Sequence, residues 1–226
     1  MQILAFETAL GKCSVSLGVN GRQIGYMQAV QSFQQSEELF SIINRLLIEN
    51  KCTFQALEAV AVNVGPGSFT GVRIGVAAAR GLKLVLPKIK LIGITTLELV
   101  ANAKNACNNL VSVMNAGQSE YYVQLFDSGL ESKSEILCLS IEKIYQLLRL
   151  HQNYSIVSHC QLDGIKKYEQ VTFDAGILLA CAFKKINSIS IDDTIAPLYM
   201  KFPHITSPKK VTNSVINKEF YSGHVD

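Results

Sequence analysis

The strongest local pattern in the chain is Val64-Gly65-Pro66-Gly67-Ser68-Phe69-Thr70-Gly71-Val72-Arg73-Ile74-Gly75. It follows an apolar run, 57–64, that is typical of a buried strand, and it leads into a helical pattern over 71–86. Gly65 and Gly67 bracket a proline, so the backbone must turn sharply where the strand ends. The stretch therefore predicts a strand, a glycine loop and a helix.

The chemistry open to this loop depends on the N–H groups at the start of the helix. The glycine loop comprises Gly65, Pro66, Gly67, Ser68, Phe69 and Thr70. Either Ser68 or Thr70 can cap the helix by accepting hydrogen bonds from its first N–H groups, and an anion can bind at such a place. However, the glycine spacing is not the dinucleotide G-x-G-x-x-G, and no Lys-Ser or Lys-Thr follows Gly71 as in a P-loop. A loop needed only for a tight turn stays an open alternative.

The predicted helix at 71–86 is apolar on every side. Its charged residues are Arg73, Arg80 and Lys83. A surface helix of a soluble protein shows one apolar stripe, so this helix has more than one face to bury. Small residues recur at every fourth position, at Gly71, Gly75 and Ala79, and this ridge would let another helix approach closely. The helix is either central within its own domain or covered by another protein.

The helical pattern at 34–50 has the same excess of apolar residues. Seven of the ten residues from Leu39 to Ile48 are large and apolar. Two neighbouring helices with excess apolar surface favour an intermolecular helical bundle. We predict a partner surface made of Leu39, Phe40, Ile43, Leu47, Gly71, Val72, Arg73, Gly75, Val76, Ala79, Arg80 and Lys83. Without its partner such a surface should self-associate, so a homodimer is expected in isolation.

The order of elements indicates the fold class. Strands are predicted at 3–8, 13–19, 23–30, 57–64, 90–94, 110–114, 121–126, 135–139 and 155–158, and helices at 34–50, 71–86, 95–104, 141–150 and 173–185. Three antiparallel strands followed by alternating helices and strands favour a mixed sheet with helices on both faces, and the second half repeats this plan in reduced form. A boundary is predicted near 101–109, where polar residues cluster, and a mobile tail from Pro203 onward.

The composition is that of a soluble globular protein. The chain has 226 residues, of which 48% are apolar and 17% are charged, and its net charge is +3. This mild charge does not argue for nucleic-acid binding, and no apolar run approaches the roughly 20 residues that a membrane span needs. The first residues lack a basic segment, so they predict a strand and not a signal peptide, and the cytoplasm is expected. Six scattered cysteines without a C-x-x-C pair fit buried thiols better than disulfides or zinc.

The block Gly65-Pro-Gly-Ser-Phe-Thr-Gly-Val-Arg-Ile-Gly75 resembles the signature of the TsaB (YeaZ) family, bacterial partners in the threonylcarbamoyl modification of tRNA. The similarity extends to the first strand, to Ile94-Thr-Thr-Leu97 and to Pro197-Leu-Tyr199, and so covers about residues 1–201. It implies an α/β fold of the actin-like, ribonuclease-H-like (ASKHA) class. It also implies an actin-like lobe with the glycine loop and interface helices, a smaller second lobe and a flexible tail, at 1–104, 105–201 and 202–226 respectively.

The resemblance also bears on catalysis. Actin-like phosphotransferases hold Mg²⁺ with a carboxylate at the end of the first strand of each lobe. Relatives usually carry Asp-Thr at the first position, where this chain has Glu7-Thr8, and Asp-Ala-Arg at the second, where it has Asn115-Ala116-Gly117. One carboxylate facing an amide cannot repeat that clamp, so Glu7, Thr8 and Asn115 are interpreted as vestigial nucleotide or metal positions. We expect Glu7 to be a strand-end acid bonded to nearby backbone rather than a catalytic group.

The histidine pattern does not supply metal ligands. The histidines stand at positions 151, 159, 204 and 224, and no two are three or four positions apart, as a pair on one helical face requires. The sequence therefore predicts no catalytic residue, no metal and no cofactor.

The resemblance implies a non-catalytic scaffold or activator subunit. Such a subunit would pair with a TsaD-like catalytic subunit through the helices at 34–50 and 71–86, and a TsaE-like ATPase would join the complex. tRNA would be engaged indirectly, for transfer of a threonylcarbamoyl group to the adenosine beside the anticodon. Two alternatives stay open: an actin-fold ATPase or kinase-like phosphotransferase that uses the glycine loop and Glu7, and a plain tRNA-binding module.

Overall fold

The computed structural model describes residues 1–10, 13–29, 35–104 and 108–200. The strands in these ranges are β1 (Gln2–Glu7), β2 (Ser14–Val19), β3 (Arg22–Gln28), β4 (Ala59–Gly65), β5 (Lys90–Thr95), β6 (Leu110–Gly117), β7 (Glu120–Phe126), β8 (Leu137–Ser140), β9 (Ser155–Ser158) and β10 (Glu169–Gln170). The helices are α1 (Gln35–Glu49), α2 (Phe69–Val85), α3 (Thr96–Ala103), α4 (Ile141–Leu150) and α5 (Ala175–Lys185). The predicted tail at 202–226 lies outside the described residues.

The first sheet has the strand order β3-β2-β1-β4-β5. β1, β2 and β3 pair antiparallel, whereas β4 pairs parallel with β1 and β5 pairs parallel with β4. Every residue of β4 is buried, as expected for a parallel strand covered on both faces. α1 and α2 pack on one face of this sheet, and α5 packs on the other. The glycine loop therefore lies at the carboxyl end of the central strand pair.

The second sheet has the strand order β10-β9-β6-β7-β8. β6 and β7 form an antiparallel pair, and β9 pairs parallel with β6. α4 packs on one face through the buried Ile144, while Leu97 and Val100 of α3 pack on the other. Leu99 of the same helix packs into the first sheet with α5. α3 therefore joins the two sheets, and no long linker separates the two halves within the described residues.

The predicted order of strands and helices is confirmed, with ends that differ by a few residues. The two-residue strand β10 was not predicted, because two residues are too short to show a hydrophobic period. In the described ranges, no helix is both long and apolar enough to cross a membrane. The fold is thus the mixed α/β arrangement that the hydrophobic pattern favours.

The predicted assignment of residues 105–201 to the second lobe needs one correction, at α5. α5 belongs by sequence to the predicted second lobe, yet it covers the first sheet. A Cβ placed on Gly18 of β2 would lie 2.7 Å from Phe183 and 2.8 Å from Leu179, so this contact is close. The physical reason is burial: the face of the first sheet opposite α1 and α2 needs an apolar cover, and α5 supplies it.

Candidate functional site

A buried polar cluster holds the turn of the glycine loop. Gly65 has a φ of +104°, a backbone conformation that favours glycine, and its amide donates to Oδ1 of Asn63 at 2.9 Å. The hydroxyl of Thr96, at the start of α3, donates to the carbonyl oxygen of Pro66 at 2.6 Å. Asn63 and Thr96 are fully buried. The helix that joins the two sheets therefore also fixes the glycine loop.

The start of α2 lies directly against the end of β1. Oγ of Ser68 accepts a hydrogen bond from the amide of Gly71 at 3.3 Å, so Ser68 is the helix cap and Thr70 is not. A Cβ on Gly71 would lie 2.0 Å from the carbonyl oxygen of Thr8, and one on Gly75 would lie 2.6 Å from the hydroxyl oxygen of Thr8. The small-residue ridge thus brings α2 against its own first strand and not, as predicted, against another helix.

Glu7 ends β1 beneath this loop, and its carboxylate is bonded within the chain. The side chain is buried, and Oε1 accepts hydrogen bonds from the amides of Ala9 at 2.6 Å and Leu10 at 3.1 Å. Burial raises the pKa of Glu7 to about 7, although hydrogen bonds from Asn63, Ala9 and Leu10 act in the opposite direction. The expected hydrogen bonds from nearby backbone amides are therefore present at Oε1, whereas Oε2 is buried without a hydrogen-bond partner among the described residues.

Asn115 ends the corresponding strand of the second sheet. It is exposed, and its Oδ1 accepts a hydrogen bond from the amide of Gly117 at 2.6 Å. Its side chain therefore stabilises the β6–β7 turn. Within the part of the chain that the structure describes, no three His, Cys, Asp or Glu side chains form a group that could hold a metal ion.

A cleft of about 300 Å³ lies between the glycine loop and the second sheet. Its lining residues are Pro66, Gly67, Phe69, Val72, Ala116, Tyr122, Leu198, Tyr199 and Met200. These side chains are apolar or aromatic, and the lining includes no carboxylate, amine or imidazole among residues 1–10, 13–29, 35–104 and 108–200. The cleft can therefore enclose an apolar group, but its described walls offer no ionisable side chain of the kinds that usually move protons at neutral pH.

The C-terminal strap, which we define as residues 189–200, runs back along α2 towards the glycine loop. Nε of Arg80 donates to the carbonyl oxygen of Ile195 at 2.9 Å, and Nζ of Lys83 donates to the carbonyl oxygen of Ile191 at 2.7 Å. Both cations were predicted to contact a partner. The structure instead shows them fastening the strap to α2.

The strap ends in an aromatic and cationic cluster at the mouth of the cleft. Nε of Arg73 donates to the hydroxyl of Tyr199 at 2.7 Å, and the Arg73 guanidinium lies 3.7 Å from the centre of the Phe69 ring. The Phe69 and Tyr199 rings are 5.3 Å apart. The amide of Leu198 donates to the carbonyl oxygen of Val64 at 2.7 Å. Arg73, the third predicted interface cation, is thus also engaged with the strap.

The available part of the predicted partner surface is smaller than the sequence pattern indicates. Eight of its twelve residues are buried within their own lobe, namely Leu39, Ile43, Leu47, Gly71, Val72, Gly75, Val76 and Ala79. They face the first sheet, which needs apolar cover from α1 and α2, so the structure assigns them to its core. Phe40 is the one large apolar member that stays exposed.

Other large apolar side chains remain exposed on both helices. On α1, Phe40 is 47% exposed and Ile48 is 65% exposed. On α2, Leu84 is 83% exposed and Val85 is 78% exposed. Because α1 and α2 contact each other, these residues lie on neighbouring elements. The predicted partner surface does not include Leu84 and Val85. Leu84 shares one helical face with Arg73 and Arg80, which were included, and this helical spacing is the pattern that could have identified it.

Comparison with known families agrees with this architecture. The model of the TsaD family, described as tRNA N6-adenosine threonylcarbamoyltransferase, matches residues 28–215, which is most of the chain. The chain belongs to this family. This match supports the predicted ASKHA fold over a region much longer than the glycine block.

Within the TsaD family, curated relatives place the chain with TsaB (YeaZ). It is 31% identical over 125 residues to the tRNA threonylcarbamoyladenosine biosynthesis protein TsaB of Escherichia coli K12, a match that spans 54% of this chain and about half (53%) of that protein. The TsaB protein of Buchnera aphidicola subsp. Baizongia pistaciae is 26% identical over 165 residues, which are 70% of this chain and 74% of that protein. Both relatives are named for tRNA threonylcarbamoyladenosine biosynthesis.

A solved structure confirms the fold. YeaZ from Pseudomonas aeruginosa superposes with a TM-score of 0.72 at 19% identity, over 88% of this chain and 99% of that one. At this identity the likeness concerns the fold alone. The chain therefore has an ASKHA fold, with two mixed sheets joined by α3.

Proposed function

We propose that this TsaB-type chain is a non-catalytic scaffold or activator subunit for tRNA threonylcarbamoyladenosine formation. It pairs with a TsaD-like catalytic subunit through the exposed faces of α1 and α2. A TsaE-like ATPase joins the complex, and tRNA is engaged through the complex rather than by this subunit alone. The names of the relatives support the pathway, and the exposed faces of α1 and α2 support the pairing.

The observation that carries the pairing is the exposed apolar surface on two contacting helices. Phe40 and Ile48 on α1, and Leu84 and Val85 on α2, all have more than a third of their surface exposed. Each burial of a large apolar side chain contributes about 1.5–3 kcal/mol. Covering these four side chains with a partner helix would therefore provide much of the free energy that a stable complex needs.

The non-catalytic role is supported by the hydrogen bonds that the strand-end polar groups already make within the chain. The Glu7 carboxylate accepts hydrogen bonds from two backbone amides, and Asn115 bonds to its own turn. The strand-end residues therefore stabilise turns, and the threonylcarbamoyl chemistry is left to the partner.

The proposal is tested by reconstituting the complex from purified subunits, in a buffer in which both are stable. The purified chain is mixed with the TsaD-like protein of the same organism, and the mass of the complex is measured by light scattering with and without ATP. We expect a stable heteromeric complex, and we expect tRNA modification by the TsaD-like subunit to depend on added TsaB-type chain. Absence of any complex at tens of micromolar would refute the pairing.

In isolation the same surface supports self-association, so we also propose a homodimer of the free chain at high concentration. Sedimentation velocity over a concentration series tests this point separately. A strictly monomeric chain would remove the homodimer from the proposal without affecting the heteromeric complex.

A further inference from the structure

The apolar cleft between the glycine loop and the second sheet is walled on one side by the end of the strap. Leu198, Tyr199 and Met200 contribute to its lining, together with residues of the glycine loop and of the β6–β7 pair. Leu198 and Met200 are half-buried, whereas Phe69 and Tyr199 are 40% and 46% exposed. Apolar surface of this kind gains free energy when another apolar group covers it.

The strap passes from the first sheet to the second over residues 198–200. The amide of Leu198 donates to the carbonyl oxygen of Val64 at the end of β4, and the hydroxyl of Tyr199 accepts the hydrogen bond from Arg73 on α2. Met200 instead packs against the apolar cluster of the second sheet. It is the last described residue, so the residues that follow it start from the wall of the cleft.

The sequence at this point alternates between apolar and polar side chains. Its apolar members are Leu198, Met200 and Phe202, and a phenol and an ammonium group stand between them. A period of two predicts an extended backbone, in which every second side chain lies on the same side. Pro203 strengthens this prediction, because the residue before a proline is restricted to extended conformations. Phe202 is therefore expected on the side of Leu198 and Met200, and the charge of Lys201 on the other.

The side chain of Phe202 can reach the cleft and fits its size. Two residues of extended chain span at most about 7 Å, and Met200 itself lines the cleft. An aromatic side chain removes about 150–250 Å² of surface from water when it is buried, and the cleft of about 300 Å³ can enclose such a ring. Because Phe202 belongs to the same chain, this contact avoids most of the entropy loss that accompanies binding of a separate molecule.

We propose that the side chain of Phe202 occupies the apolar cleft and covers it within the same chain. The described walls carry no carboxylate, amine or imidazole, so they suit a hydrocarbon ring and would leave an ionised group without a partner. A ligand or protein that uses the cleft must then displace Phe202. The start of the C-terminal tail thereby controls access to the space between the two sheets. This occupancy does not depend on the proposed pairing through α1 and α2.

The first experiment uses the fact that the sequence contains no tryptophan. In the full chain, Phe202→Trp introduces a single indole whose fluorescence reports burial, and Phe220→Trp places the same reporter further along the tail as the matched control. We expect the Phe202→Trp emission to lie at shorter wavelength, and its quenching by acrylamide to be about fivefold weaker than that of Phe220→Trp. Equal quenching of the two variants would overturn the proposal.

The second experiment tests whether the protected reporter lies in this cleft. Ala116 lines the cleft from the end of β6, so Ala116→Leu extends a side chain into the space that the ring would fill. Made in the Phe202→Trp chain, this change should raise acrylamide quenching to the level of Phe220→Trp. The control Ala180→Leu enlarges an exposed side chain on α5 and should leave quenching unchanged. Circular dichroism checks the folding, and undiminished protection in a folded Ala116→Leu chain would overturn the proposal.

A third measurement needs no tryptophan. Phe202→Ser should uncover the cleft and raise binding of the dye anilinonaphthalene sulfonate about twofold or more, whereas Phe220→Ser should bind the dye like the natural chain. Equal dye binding by the two serine variants would overturn the proposal.

The concentration dependence distinguishes cover by the same chain from cover by a second copy. Protection of the Phe202→Trp reporter from acrylamide should be the same over a dilution series, because the contact is intramolecular. Protection that is lost on dilution would assign the cover to another copy and overturn the proposal. None of these measurements involves the TsaD-like protein, so their failure would leave the proposed pairing intact.

Discussion

The hydroxyl of Thr8 donates a hydrogen bond to the carbonyl oxygen of Gly71 at 2.7 Å, across 63 positions of sequence. This bond joins the end of β1 to the first turn of α2. It is possible because Gly71 has no side chain, so the two backbones approach within hydrogen-bonding distance. The first strand, the glycine loop and α2 are therefore one packed unit, on which the proposed partner surface is built.

The variant Gly71→Ala should destabilise this unit strongly. The new Cβ would lie 2.0 Å from the carbonyl oxygen of Thr8, and a backbone atom cannot move aside as a flexible side chain can. We expect a loss of about 3 kcal/mol in the free energy of unfolding and a drop in Tm of about 10 °C, measured by thermal denaturation.

The control for this prediction is Gly81→Ala on the same helix. A Cβ on Gly81 meets nothing within 4 Å. Alanine has the higher helix propensity, so this variant should gain about 0.5–1 kcal/mol. Equal effects of Gly71→Ala and Gly81→Ala would contradict the close packing of α2 on β1.

Glu7 should make stability depend on pH. Its pKa is about 7 in the folded chain against 4.5 as the ordinary value, so between these pH values the folded state binds more protons than the unfolded state. The free energy of unfolding should therefore fall as pH rises from 4.5 to 7, by about 3 kcal/mol in total. The contribution is fully present below pH 4.5 and lost above pH 7.

The variant Glu7→Gln tests this assignment, because glutamine keeps an acceptor for the amides of Ala9 and Leu10 but cannot ionise. Urea unfolding across the same pH range should show a flatter profile for Glu7→Gln than for the natural chain. The exposed Glu135 is the matched control, and Glu135→Gln should leave the profile unchanged. A Glu7→Gln profile that parallels the natural one would assign the pH dependence to other groups.

Tyr199 should hold the C-terminal strap against α2. The variant Tyr199→Ala removes the hydrogen bond from Arg73 and the ring that lies 5.3 Å from Phe69. Together these contacts contribute about 1–2 kcal/mol locally, so amide hydrogen exchange at Leu198 should become about tenfold faster. Tyr145→Phe, at an exposed position on α4, serves as the control. Unchanged exchange at Leu198 would mean that the strap is held by other contacts.

The order of elements could be predicted from the sequence because hydrophobic period depends mainly on local residues. The glycine block marks its own boundaries, and the backbone hydrogen bonds of Glu7 follow from its place at a strand end. These features need no knowledge of which distant segments meet. They are the parts of the fold that the structure confirms.

The partner surface could not be predicted residue by residue, because burial depends on contacts between distant segments. Gly71 and Gly75 form a small-residue ridge, but the pattern does not tell whether β1 or another helix fills it. Arg80 and Lys83 look free on a helix until the strap, more than 100 positions later, accepts their hydrogen bonds. α5 likewise covers a sheet whose strands precede it by a long interval.

The central claim is that the exposed face of α2 binds the TsaD-like partner. Leu84 on α2 and Leu150 on α4 are 83% and 81% exposed, so their replacement by aspartate adds the same charge at equal exposure on different faces. The most direct measurement is the Kd of the complex with the TsaD-like protein for Leu84→Asp and Leu150→Asp, with circular dichroism as the check of folding. The account predicts that Leu84→Asp weakens binding about tenfold or more while Leu150→Asp binds like the natural chain. Natural affinity for a folded Leu84→Asp variant would contradict it.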